Sequence, residues 1–112
     1  MSAFLSWLDG AVAALEAQAR ELRASGCKDE SDLVRIRINI HQIARTLYLV
    51  CRRSGYGSDF RAAYLAKLDA LIPPWTAARS LAVEHDDPCR VIIEDIKLDT
   101  LRMLRIRYLE TE

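Results

Sequence analysis

Apolar residues recur along the chain at spacings of three and four, and no stretch alternates strictly between apolar and polar, so the pattern predicts helices and no strands. Leu8, Leu15 and Leu22, with Leu5, Val12 and Ala19 beside them, form one stripe backed by Glu16, Arg20 and Arg23. Gly26 suits the left-handed residue that closes such a helix. The next segment opens with Asp29-Glu30-Ser31-Asp32, whose short oxygens can cap a first turn. It runs through Leu33, Ile36, Ile40, Ile43, Leu47 and Val50, the expected inner face of a second helix that Gly55 ends. Ser58-Asp59 starts a third, with Phe60, Tyr64, Leu68 and Leu71 inward and the same phase continuing through Trp75, Ala78 and Ala82.

Pro73-Pro74 interrupts that third rod. Each ring removes an amide donor and disfavours helical geometry in the residue before it, so a kink or break is expected at the pair, with Pro74 in the first turn of the second half. Asp87-Pro88 reads as an N-cap followed by proline at the first helical position, and no breaker follows up to about Leu109. Four rods result, approximately 2–24, 31–53, 59–84 and 88–110. Matched lengths and short connections predict an all-α fold: an up-down-up-down four-helix bundle with the third helix kinked or broken at Pro73-Pro74. Residues 1–112 form a single domain in this reading.

Composition narrows the classes. Sixteen basic residues balance sixteen acidic ones, so no long-range positive field gathers nucleic acid or anionic lipid, and nucleic-acid binding is not expected. Acidic residues sit at predicted helix starts and arginines near helix ends, which the helix dipole accounts for. No run of 18 apolar residues lacks a charge, so no membrane partner is expected. The N-terminus lacks the basic and apolar regions of a signal peptide. Cys27, Cys51 and Cys89 are odd in number and widely spaced, which fits reduced thiols and a cytoplasmic location. Arginine outnumbers lysine 13 to 3, a balance common in GC-rich bacterial genomes.

Motifs for chemistry are sparse. Glu84-His85-Asp86-Asp87 with Cys89 is the densest set of metal-ligand types, but adjacent residues rarely converge on one ion, and a helix-end loop accounts for them. No Glu-x-x-His, P-loop or nucleophile-elbow motif is present, and His41 and His85 are the only histidines. Neither metal, cofactor nor catalytic residue is therefore assigned. Cys51 reads as a small buried apolar residue.

Two helices carry a surplus of apolar side chains. On the second, Val34, Ile38, His41, Arg45, Tyr48 and Arg52 form a second stripe, outside the expected core face, with the Tyr and Arg content of an interface. On the last, apolar residues from Val91 to Leu109, Leu101 and Tyr108 among them, lie all round the helix. One small domain cannot enclose two such helices, so the sequence predicts a homodimer that acts by protein–protein contact as an adaptor or assembly component, with a further protein partner still to be identified. The alternative is a small-ligand binder or small all-helical enzyme with a polar pocket around Arg35, His41, Tyr48 and Asp99. Asp99 falls between Ile92/Ile96 and Met103/Ile106, where a buried carboxylate would need Arg35, Arg37, Asn39 or His41 as partner.

Overall fold

The computed structural model describes residues 2–55 and 59–112. Every described element is a helix: α1 (Ala3–Ala24), α2 (Lys28–Arg53), α3 (Phe60–Asp69), α4 (Ile72–Glu84) and α5 (Pro88–Thr111). The last predicted rod and its cap hold. Asp87 accepts from the Arg90 amide at 3.1 Å, and Pro88 occupies the first turn of α5. At the other end of the chain Ser2 caps α1 by accepting from the Leu5 amide. Ser58 lies outside the described residues, and Asp59 precedes α3 without a side-chain cap.

The break in the third rod falls earlier than the proline pair. α3 ends at Asp69, Ala70 and Leu71 keep near-helical backbone, and α4 starts at Ile72 with both prolines inside its first turn. The reason is the register of the helix bond: Pro73 and Pro74 have no amide to give to the carbonyls of Asp69 and Ala70, four residues back. The chain therefore bends where the acceptors are abandoned. The expected capping of α2 also fails. Cys27 is its N-cap and makes no side-chain cap bond, while Asp29 and Glu30 lie within the first turn, where they face the positive end of the dipole. Ser31 is buried instead, its Oγ donating to the Ala19 carbonyl at 2.8 Å.

Polar contacts fix the directions of the helices. Arg45 pairs with Asp9 and Ser31 with Ala19, so α1 and α2 are antiparallel. Arg105 pairs with Asp69 and Arg79 with Asp95, which sets α3 and α4 antiparallel to α5. The result is a helical bundle with its largest core at one end. There Phe4, Tyr48, Tyr64 and Tyr108 meet edge to face, with ring centroids 4.9 Å apart for Tyr64 and Tyr108 and 5.2 Å for Phe4 and Tyr108. Two of the hydroxyls have partners: Tyr64 donates to the Ala44 carbonyl at 2.8 Å, and Tyr48 to Glu112 Oε1 at 3.2 Å. Burial holds the Tyr48, Tyr64 and Tyr108 phenols above their ordinary range. A second, smaller cluster of Ala19, Val34 and Ile38 with Val12, Leu15 and Leu22 is drawn from α1 and α2 alone.

This burial corrects the reading of α2. The stripe Val34, Ile38, His41 and Tyr48 faces the chain's own interior, while only Ile40 of the expected inner line is fully buried and Ile43 is exposed. The two stripes lie side by side, and a shift of about one residue, some 100° of rotation, exchanges them. The helix is oriented by its aromatic and small residues, Tyr48 and Ala44, which fill the shared core.

The molecule is extended, 45 × 35 × 21 Å along its principal axes. The radius of gyration is 15.5 Å, against about 13 Å for a compact domain of this length. The exposed surface is 6725 Å², about 500 Å² above the roughly 6,200 Å² expected of a 12.7 kDa monomer. No helix among the described residues is long and apolar enough to cross a membrane.

Candidate functional site

An apolar opening lies between α1 and α5. At one end the two helices are tied, Ser2 Oγ donating to Glu112 Oε1. Further along, small side chains on α1 leave the helices apart, and two adjoining depressions of about 460 and 500 Å³ share Trp7, Asp99 and Met103. Trp7, Ala11 and Ala14 recur at spacings of four and three, so all three look into the same groove. Met103 and Ile106 form the opposite wall from α5, and Arg37 and His41 of α2 close the floor.

Trp7 is held rather than free. Its ring stacks on His41 at 6.0 Å and 30°, and the Arg107 guanidinium lies 5.1 Å from its centroid. The His41 ring is oriented in turn by Nδ1, which donates to the Arg37 carbonyl at 2.7 Å and leaves Nε2 without the proton. Burial pushes the His41 pKa below its ordinary value, and the bond to the Arg37 carbonyl opposes that shift in part. The imidazole is neutral at pH 7. Arg107 Nε is buried and has no hydrogen-bond partner among the described residues. The rim carries Arg102 paired with Asp99, together with Glu110.

The residues singled out from sequence separate into three places. Val34, Ile38, Tyr48, Leu101 and Tyr108 are buried in the two cores, so they hold the chain together and offer nothing to a partner from outside. Arg35 is exposed, and Arg45 is engaged with Asp9. His41 and Asp99 do meet at one site, the groove, but Tyr48 belongs to the aromatic core, so the four-residue polar pocket is not assembled. Asp99 is not buried. Its side chain is 76% exposed and pairs with Arg102 one turn on.

The buried acid on α5 is Glu94, which sequence reasoning passed over. It has no exposed surface, and Lys97 Nζ donates to both of its oxygens, at 2.9 and 3.1 Å, while lying 4.8 Å from the Trp75 ring on α4. The i,i+3 spacing of Glu94 and Lys97 was the available signal. The α1 side of the groove was also missed, although Trp7, Ala11 and Ala14 share a face in the sequence. Glu84, His85, Asp86, Asp87 and Cys89 are all exposed, and among the described residues no group of three or more His, Cys, Asp or Glu side chains is placed to hold a metal.

What the groove offers is contact: an anchored indole, methyl and thioether walls, and a rim of paired charges. Comparison with protein-family models, curated proteins and solved structures found no match to this chain.

Proposed function

We propose that the protein is an interaction module that buries the α1–α5 groove against another protein, most simply against the same groove of a second copy about a two-fold axis. The observation that carries this reading is the groove itself, with Trp7 fixed at its centre and Met103 and Ile106 on its wall, 42% and 58% exposed. Large anchored aromatic and thioether groups beside small residues are the composition of interface cores. The surplus surface of about 500 Å² is of the order of one partner's share, about 800 Å², of a standard interface. The module would belong in a reducing cytoplasm, bacterial by the arginine bias of the sequence, since Cys27, Cys51 and Cys89 are all free thiols and Cys89 is exposed.

Sedimentation or light scattering between 1 and 200 µM, ranges chosen to bracket about micromolar affinity, tests the reading. At 300 mM salt wild-type protein is expected at about twice 12.7 kDa, and Met103→Glu, which places a charge in the wall, at the monomer mass. A wild-type chain that stays monomeric at tens of micromolar removes self-pairing. A second reading rests on the unpartnered Arg107 Nε: an amphiphile with an acidic head over Arg107 and an apolar body along Met103. Native mass spectrometry separates the two, as a retained small molecule favours the amphiphile and a bare dimer favours pairing.

A further inference from the structure

The opposite end of the α4–α5 hairpin carries a second apolar surface that the groove does not use. Leu81, Val83 and Ile92 are 54%, 56% and 49% exposed, and they sit around the turn Glu84-His85-Asp86-Asp87. Among the described residues neither Glu84 nor Asp86 forms an ion pair or side-chain hydrogen bond, whereas Asp87 is taken by the α5 cap. Asp86 is also in the left-handed region, at φ +52°, the only described non-glycine residue with positive φ. The same position in the α1–α2 turn is Gly26 at φ +86°. Both turns close alike, with Asp87 N–H reaching the Ala82 carbonyl and Cys27 N–H the Leu22 carbonyl. An aspartate there costs stability that glycine would not, and its carboxylate makes no side-chain hydrogen bond or ion pair among the described residues. The tip is therefore a greasy surface with unpaired negative charge kept at a conformational cost.

The chain also carries the complement. On the C-terminal half of α2, Ile43, Thr46 and Leu49 line shallow depressions that continue to Arg52 and Arg53, both exposed and neither in an ion pair. This strip lies by the aromatic core, at the far end of α5 from the acidic turn, about 30 Å away at 1.5 Å per residue. The α4–α5 turn is apolar and acidic, and the α2 strip is apolar and basic.

We infer that the acidic α4–α5 tip of one copy docks on the basic strip of α2 in another, joining copies head to tail. Such a contact is heterologous: each copy uses one end and leaves the other open, so it propagates into a ring or a filament, independently of the groove. Complementary charge steers the encounter and sets its salt dependence, and Leu81, Val83 and Ile92 supply the buried area.

The test uses the full chain in the Met103→Glu background, so that groove pairing is silenced, with circular dichroism confirming the fold of each variant. At 20 mM salt the weight-average mass from sedimentation is expected to rise with concentration, and the association to weaken at least tenfold at 300 mM. R52E/R53E and E84R/D86K are each expected to weaken it at least tenfold, since each puts like charges at both ends. Mixed in equal amounts they restore both contacts, and association returns. If E84R/D86K fails to fold, E84R/D86N carries the same mixing test. A strictly monomeric Met103→Glu protein at low salt, or a mixture no heavier than its components, overturns the proposal. Should Met103→Glu and wild type behave alike, the groove reading falls while the charge swap still decides the tip.

Discussion

The two helical hairpins are built to the same plan and held by different forces. In α1–α2 the turn uses Gly26, the helices approach over the fully buried Ala19, and, beside the exposed Arg45–Asp9 pair, a neutral bond from Ser31 Oγ to the Ala19 carbonyl closes the buried contact. In α4–α5 the turn uses Asp86, and the helices are tied by Arg79 to Asp95 and by Lys97 lying between Glu94 and Trp75. The first hairpin buries its apolar residues against itself; the second leaves Leu81, Val83 and Ile92 open. Close backbone approach over small side chains removes apolar surface from water, whereas long charged side chains bridge helices that remain further apart. A hairpin joined in the second way keeps a surface to offer.

Breaking the charged hairpin has the largest expected effect. Glu94→Ala leaves Lys97 without its acid beside Trp75 and should lower stability by about 3 kcal/mol, read as a fall of roughly ten degrees in melting temperature. The double change Glu94→Met/Lys97→Met should recover most of that loss, because no charge is then left buried. Recovery separates an electrostatic tie from simple packing.

On the other hairpin, Ala19→Leu forces a side chain into a position with no space and should cost about 2 kcal/mol in urea unfolding. Acid acts on the same side. Burial lowers the folded pKa of His41, so below the unfolded value near 6.5 the unfolded chain binds the proton that the folded one refuses. Stability is fully present above about pH 6.5 and declines as pH falls, with a slope of at most about 1.4 kcal/mol per pH unit from this group. His41→Gln should flatten the urea midpoint between pH 7 and 5.5; an unchanged profile would assign the acid sensitivity elsewhere.

The smallest effects come from exchanging the turns. Asp86→Gly should stabilise by about 0.5 to 1 kcal/mol, and Gly26→Asp should destabilise by a similar amount, since both positions have positive φ. Equal and opposite shifts in melting temperature would show that the acidic turn is retained for something other than folding.

Helix existence was legible because period and punctuation act locally: Gly26, Gly55, Asp87 and Pro88 each sit where the structure uses them. The rotation of α2 was not. Its two apolar stripes are neighbours on the cylinder, and the pattern of Leu33, Ile36 and Ile40 is as regular as that of Val34, Ile38 and His41. Bulk decided between them, because Tyr48 and Ala44 interlock with Phe4, Tyr64 and Tyr108 from three other helices. The same long-range packing explains the missed groove, which is lined by Ala11 and Ala14 of α1 together with Met103 of α5 and cannot be seen on α1 alone.

From its own order of residues the chain dictates helices, the Asp87 cap of α5 and a bend at the Pro73-Pro74 region, since all of these depend on groups within four or five positions of one another. Which face each helix turns inward, which carboxylate is buried and where two helices separate were settled only when distant segments met. Burial is a property of the assembled surface, and Glu94 and Asp99, two acids five residues apart on one helix, ended on opposite sides of that division.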